Sequence, residues 1–90
     1  MFDWDAVKAK RNAINHGISF KVATEVFFDP DAIYFEDFAH SGAEQRDMVI
    51  GFSRKGILIV VFTERYPATR IITARRANPE ERRLYEQQKN

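Results

Sequence analysis

Six consecutive apolar residues, Ile57-Leu58-Ile59-Val60-Val61-Phe62, constrain this chain more than any other feature. A strand with one wet face alternates polar and apolar residues, and a surface helix carries an apolar stripe at the 3.6-residue period; this run does neither. Its β-branched and aromatic content, between Gly56 and Tyr66-Pro67, reads as a strand covered on both faces and therefore as the centre of a sheet. The covering layers must come from a chain of only 90 residues, 44% of them apolar and eight of them Phe. Chains this short bury only about 60 to 65% of their unfolded surface, so a single domain over residues 1–90 is expected and a second is not.

The flanking segments supply those layers. Asp3 or Asp5 is placed to cap a helix with Trp4, Val7 and Ile14 roughly on one face, ending near His16 because Gly17 suits a left-handed C-terminal residue. Ser19 caps a second helix, with Ile18 stapling onto Ala23 and with Phe20, Ala23, Val26 and Phe27 at helical period, stopped by Asp29-Pro30. Ile33-Tyr34-Phe35 reads as a strand, Asp37 to Glu44 as a loop holding His40, Ser41 and Gly42, and Asp47 to Ser53 as a strand turning through Arg54-Lys55-Gly56 into the central run. After Tyr66-Pro67-Ala68, strand alternation over Thr69 to Arg76 places Arg70, Ile72, Ala74 and Arg76 on one face and Ile71, Thr73 and Arg75 on the other. Asn78-Pro79-Glu80-Glu81 starts a last helix anchored by Leu84 and Tyr85, and Gln87 to Asn90 reads as a frayed tail. The expected fold is α+β: two N-terminal helices, a four-stranded antiparallel sheet with an optional fifth strand at Phe2 to Trp4, and a C-terminal helix, with the helices on one face.

Composition excludes several function classes. The absence of cysteine removes disulfides and thiolate zinc sites and fits a reducing compartment, so a cytoplasmic location is expected. Met1-Phe2-Asp3-Trp4-Asp5 is unlike a secretion signal, and no apolar run reaches membrane length. Net charge is +1, yet residues 1–45 hold four basic and eight acidic groups while residues 46–90 hold ten basic and five acidic, −4 against +5. A basic C-terminal half suits a local anion-binding face, with a solvated set of arginines as the plainer alternative.

Cutting RNA without a metal requires taking a proton from a 2′-OH, stabilising charge on phosphorus and protonating the leaving 5′ oxygen. Arginine suits the second task because its planar fork binds two phosphate oxygens and stays charged. Arg46, Arg65, Arg70, Arg75 and Arg76 fall on or at the ends of the strands, where neighbouring strands could bring several to one phosphate. Glu44 and Arg46, two apart, point to the same side, suiting either proton transfer or an ordinary ion pair; Glu64-Arg65 offers a second pair, of which Arg65 is the candidate. Histidine is the side chain best suited to proton transfer near neutral pH, and His16 stands at a helix C-terminus, where it serves proton transfer or caps carbonyls. His40 stands alone, so no metal or other cofactor is expected. Lys55 in the turn adds a cation for RNA, and Tyr85 either stacks on a base or joins the core.

Several segments in order, Phe2-Asp3-Trp4-Asp5 with Lys8 and Asn12, His16-Gly17-Ile18-Ser19-Phe20, Val26-Phe27-Phe28-Asp29-Pro30, Glu44-x-Arg46 with Gly51, Val60-Val61-Phe62-Thr63-Glu64-Arg65, Arg70 to Ala77 and Glu81-Arg82-Arg83-x-x-Tyr85, carry a resemblance. Together the chain resembles BrnT-type toxins, a branch of the RelE-like ribonucleases. The resemblance implies a RelE-like fold, RNA cleavage without a cofactor, growth inhibition, and neutralisation by a small ribbon-helix-helix antitoxin of the BrnA kind. It further implies a toxin–antitoxin hetero-oligomer that represses its own operon and reaches operator DNA only through the antitoxin. By position it points to Arg46, Arg65, Arg75 and Arg76. The family commonly has lysine before the His-Gly pair where this chain has Asn15, which shifts proton transfer toward His16. The expected catalytic set is Arg65, Arg75, Arg46, Glu44 and His16, with RNA contacts from Arg70, Arg76, Lys55 and Tyr85. The alternative is a catalytically silent module that binds an antitoxin in operon autoregulation; a plain RNA-binding domain is a third reading.

Overall fold

The computed structural model describes residues 1–39 and 41–88, so His40 and the last two residues of the expected tail lie outside the described residues. In chain order the elements are β1 (Phe2–Asp3), α1 (Ala6–His16), α2 (Phe20–Ala23), a 3-10 turn (Thr24–Phe28), β2 (Ile33–Glu36), β3 (Asp47–Ser53), β4 (Gly56–Arg65), β5 (Ala68–Arg76) and α3 (Pro79–Gln88). The apolar run lies in β4, in the middle of a five-stranded sheet of order β1-β5-β4-β3-β2. Strands β2 to β5 pair antiparallel, but β1 runs parallel to β5 through Phe2↔Thr69 and Asp3↔Arg70, so the sheet is mixed where an antiparallel one was expected.

A bulge in β5 changes which side chains share a face. Val61 pairs with Thr73 and Phe62 with Ile71, leaving Ile72 without a partner across the ladder. Strand side chains alternate with period two, so one extra residue inverts the parity beyond it. Ile71 therefore joins Ala74 beneath the N-terminal helices. Arg70 pairs with Thr63, on the side of Thr73 and Arg75, and not beside Arg76 as simple alternation predicts.

Helices cover both faces, correcting the expectation of one. On one face Val49, Leu58, Val60, Phe62, Ile71 and Ala74 pack against Ile18, Phe20, Ala23 and Val26. The expected second helix tightens into the 3-10 turn after Ala23, and that turn lies directly on β3. A Cβ at Gly51 would stand 2.7 Å from the Cβ of Val26 and 3.0 Å from its carbonyl oxygen, so only bare backbone permits the approach. On the other face Ile50 and Ile59 are covered by Ala77 and Tyr85, which belong to the α3 end of the chain. A reciprocal box starts that helix: Asn78 Oδ1 accepts from the Glu81 N–H and Glu81 Oε1 from the Asn78 N–H, both at 2.8 Å.

α1 begins as expected, with Asp5 accepting from the Lys8 N–H at 2.9 Å, and ends on Gly17 at φ 70°. Its buried side is not the expected apolar one. Val7 and Ile14 are 65% and 74% exposed, and the buried residue is Asn12. The Asn12 amide donates to the carbonyls of Ile18 (3.0 Å) and Ala74 (2.8 Å), while its Oδ1 accepts from the Ala74 N–H (3.1 Å). Where β1 stops pairing, this side chain completes the edge of β5, because buried backbone groups need partners. Asp29 does the same at the opposite edge, its Oδ2 accepting from the Phe52 N–H at 2.8 Å and from the Tyr85 hydroxyl at 2.6 Å. No helix among the described residues is long and apolar enough to cross a membrane.

Candidate functional site

α3 closes only part of its face, and the rest forms a continuous groove. One section, about 250 Å3, is lined by Asp37, Arg46, Met48, Ile59, Val61, Ile72, Thr73 and Arg75. It shares Arg46, Ile72 and Thr73 with a second section, about 340 Å3, whose far wall is α1 through Lys8, Arg11, Asn12, Asn15 and His16. Among the described residues no carboxylate lines this second section. Asn12 sets its wall, since the bonds to Ala74 and Ile18 fix α1 against β5.

Of the three residues common to both sections, Arg46 is the charged one. Its backbone is clamped: the N–H donates to Ser41 Oγ at 3.0 Å, and the carbonyl accepts from the Asp37 N–H at 2.8 Å. Its guanidinium makes no hydrogen bond or ion pair with the described residues. A half-buried arginine on a fixed root, its side-chain donors without a partner among the described residues, can take an external anion with little further loss of order.

The other expected arginines are held by partners. Arg65 grips Glu44 through Nε (2.9 Å) and Nη2 (3.0 Å). The Arg65 hydrogen bonds, aided by the charges of Arg65, Arg46 and Arg70, hold the Glu44 carboxyl below its usual range, which makes it a weaker base. Arg75 grips Glu81 with two bonds of 2.8 and 2.9 Å, and these lower the Glu81 carboxyl in turn. Arg70 lies 3.4 Å from Asp3 Oδ1, an ion pair in which that oxygen accepts no hydrogen bond. Arg76 points to the other side and donates to the His16 carbonyl at 3.3 Å, capping the end of α1. Lys55 is exposed in the turn that follows β3, whereas Arg46 precedes that strand, which puts them roughly 20 Å apart. Tyr85 is 2% exposed with its hydroxyl on Asp29, and burial, then Asp29, pushes the phenol above its ordinary range. Its ring offers no face to a base.

The structure thus gathers Arg46, His16 and Arg75 along one groove, sets Glu44, Arg65 and Arg70 at the same end of that face, and leaves Arg76, Lys55 and Tyr85 elsewhere. Sequence reasoning missed Lys8 and Arg11 as site residues. The signal was present: Lys8, Arg11, Asn12 and Asn15 recur at helical spacing on one side of a helix that contains no acid. Asn15, the departure from the family's usual lysine, lines the groove beside His16.

A search of curated proteins finds no match to the chain. The family profile described as ribonuclease toxin, BrnT, of type II toxin-antitoxin system matches residues 4–81, which take in α1, the whole sheet beyond β1 and the start of α3. With a match of that extent laid over this groove, the chain belongs to the BrnT family of ribonuclease toxins of type II toxin–antitoxin systems.

Proposed function

We propose that this toxin is a metal-independent endoribonuclease that cuts RNA in the groove between α1 and the open face of the sheet, acting in the cytoplasm and inhibiting growth until a ribbon-helix-helix antitoxin neutralises it. The carrying observation is the carboxylate-free section in which the unpaired Arg46 meets Lys8, Arg11 and His16. A phosphate seated there exchanges condensed counterions for these cations, and Arg46 stabilises the charge that grows on the equatorial oxygens. His16 takes the 2′-OH proton. The 2′ oxygen bonds to phosphorus as the bond to the 5′ oxygen breaks, and that oxygen takes a proton from water, leaving a cyclic phosphate and a 5′-OH. Glu44, tied to Arg65, is the poorer base. Arg65, Arg70 and Arg75 extend the positive field toward the ends of the strand path. Among the described residues no three His, Asp or Glu side chains gather where they could hold a metal ion.

The double neutralisation of Arg65 and Arg75 is what favours the second reading, a catalytically silent module serving the antitoxin. Incubating the purified toxin with RNA and a chelator separates the two. Cleavage persists with the chelator, the fragments end in cyclic phosphate and 5′-OH, and His16→Ala slows it by about 10²-fold or more. Intact RNA under these conditions, with antitoxin still bound, would leave only the silent module.

A further inference from the structure

The sheet carries a second groove, opposite in character and on the face packed by the N-terminal helices. It measures about 450 Å3 and is lined by Tyr34, Phe35, Glu36, Asp47, Phe62 and Glu64. It exists because the 3-10 turn covers β3 at Gly51 and stops short of the other end of that strand. Its floor is rigid: Phe27 and Tyr34 both meet the Phe62 ring edge-on, with centroids at 5.0 and 6.2 Å. Tyr34 is 52% exposed and Phe35 36%. Around this floor stand three carboxylates with no cation paired to any of them among the described residues. Asp47 accepts from the Gln45 amide and Glu64 from the Thr69 hydroxyl, both neutral donors.

Such a groove repels a phosphate backbone, so it is no extension of the RNA path. Aromatic surface ringed by unpaired negative charge matches a protein segment that lowers an apolar side chain between lysines or arginines. We infer that this groove on β2, β3 and β4 is where the antitoxin docks a basic, apolar-centred segment, on the face of the sheet opposite the RNA groove. The inference rests on the toxin–antitoxin reading for its occupant and on the charge complementarity of the groove for its place. Antitoxin binding here is independent of Arg46, so a toxin without activity keeps its partner.

The test uses the full-length toxin and the full-length ribbon-helix-helix protein encoded beside it, with affinity measured by calorimetry at low and high salt. Glu36→Lys with Glu64→Lys weakens binding by about tenfold or more, and the loss shrinks as salt screens the repulsion. The milder Glu36→Gln with Glu64→Gln weakens it less and guards against a folding defect. A control of equal charge change on α3, Glu80→Lys with Glu86→Lys, binds as the wild type does. Unchanged affinity in the first variant, or an equal loss in the control, overturns the inference. So does a groove variant that loses the self-association of the wild-type toxin and keeps its antitoxin affinity, since a second copy would then be the occupant. RNA cleavage by the same proteins is read in parallel. If none cleaves while the groove variant alone loses antitoxin, the docking inference holds and the ribonuclease reading falls.

Discussion

Arginines on the same face of this sheet meet two different fates. Beside α1, Arg46 extends an unpaired guanidinium into a section with no carboxylate, whereas toward the two ends of the face Arg65 and Arg75 are each gripped by a glutamate through two hydrogen bonds. The sequence presents all three as equivalent basic residues of strands. Pairing distinguishes them: a guanidinium whose charge and two of whose N–H groups are engaged by a carboxylate has less to offer a phosphate than an unpaired one. On the proposed reading, Arg46 supplies the largest share of phosphate stabilisation and the others a structural share.

Removing the unpaired member is the strongest test. Arg46→Ala should lower kcat/KM for RNA by about 10²- to 10³-fold, the loss typical of one preorganised donor, while moving stability by less than about 0.5 kcal/mol. Arg65→Ala and Arg75→Ala should each cost about tenfold or less. Equal losses for Arg46 and Arg65 in steady-state assays would abolish the distinction.

The wall that keeps Arg46 facing cations is next. Asn12→Ala removes three hydrogen bonds and strands buried backbone groups of Ile18 and Ala74. It should destabilise the fold by about 2 to 4 kcal/mol, read from the urea midpoint at constant slope. A loss under about 0.5 kcal/mol would mean water replaces the amide and the wall is not held this way.

The smallest effect sharpens the contrast. Glu81→Gln releases Arg75 while glutamine preserves the helix-start box, so activity should hold or rise a few-fold, with stability falling by less than about 1 kcal/mol. The sign with pH follows from the lowered Glu81 carboxyl. Its stabilisation is complete above the ordinary glutamate range and is lost as pH falls through its depressed folded value. Urea midpoints of wild type and variant should therefore differ at pH 7 and converge as pH falls below the lowered Glu81 value; a constant gap would show the pair contributes nothing through charge.

Much of the fold was readable from local chemistry. The caps at Asp5 and Ser19, the Gly17 stop, the box at Asn78 and Glu81 and the strand run in β4 all act within a few residues of their own positions, and each stands where expected. The failures were non-local. Val7 and Ile14 look like a buried stripe only if α1 lies flat on the sheet; it sits at the edge of β5 and buries a hydrogen-bonding asparagine instead. Tyr85, beside Leu84, reads more readily as core than as a stacking ring, and Ile50, Ile59 and Asp29 surround it.

From the chain alone came the element types, the central strand and the stock of cations, because propensity, capping and periodicity are set by near neighbours. Tertiary structure alone decided which of those cations stay unpaired. The unpartnered Ile72 inverts side-chain parity, so Arg70 shares a face with Arg75 while Arg76 turns away. Contacts such as those between Glu44 and Arg65, or between Asn12 and Ala74, join residues far apart in the chain, and no local rule encodes which of many possible partners the folded backbone will place within hydrogen-bonding distance.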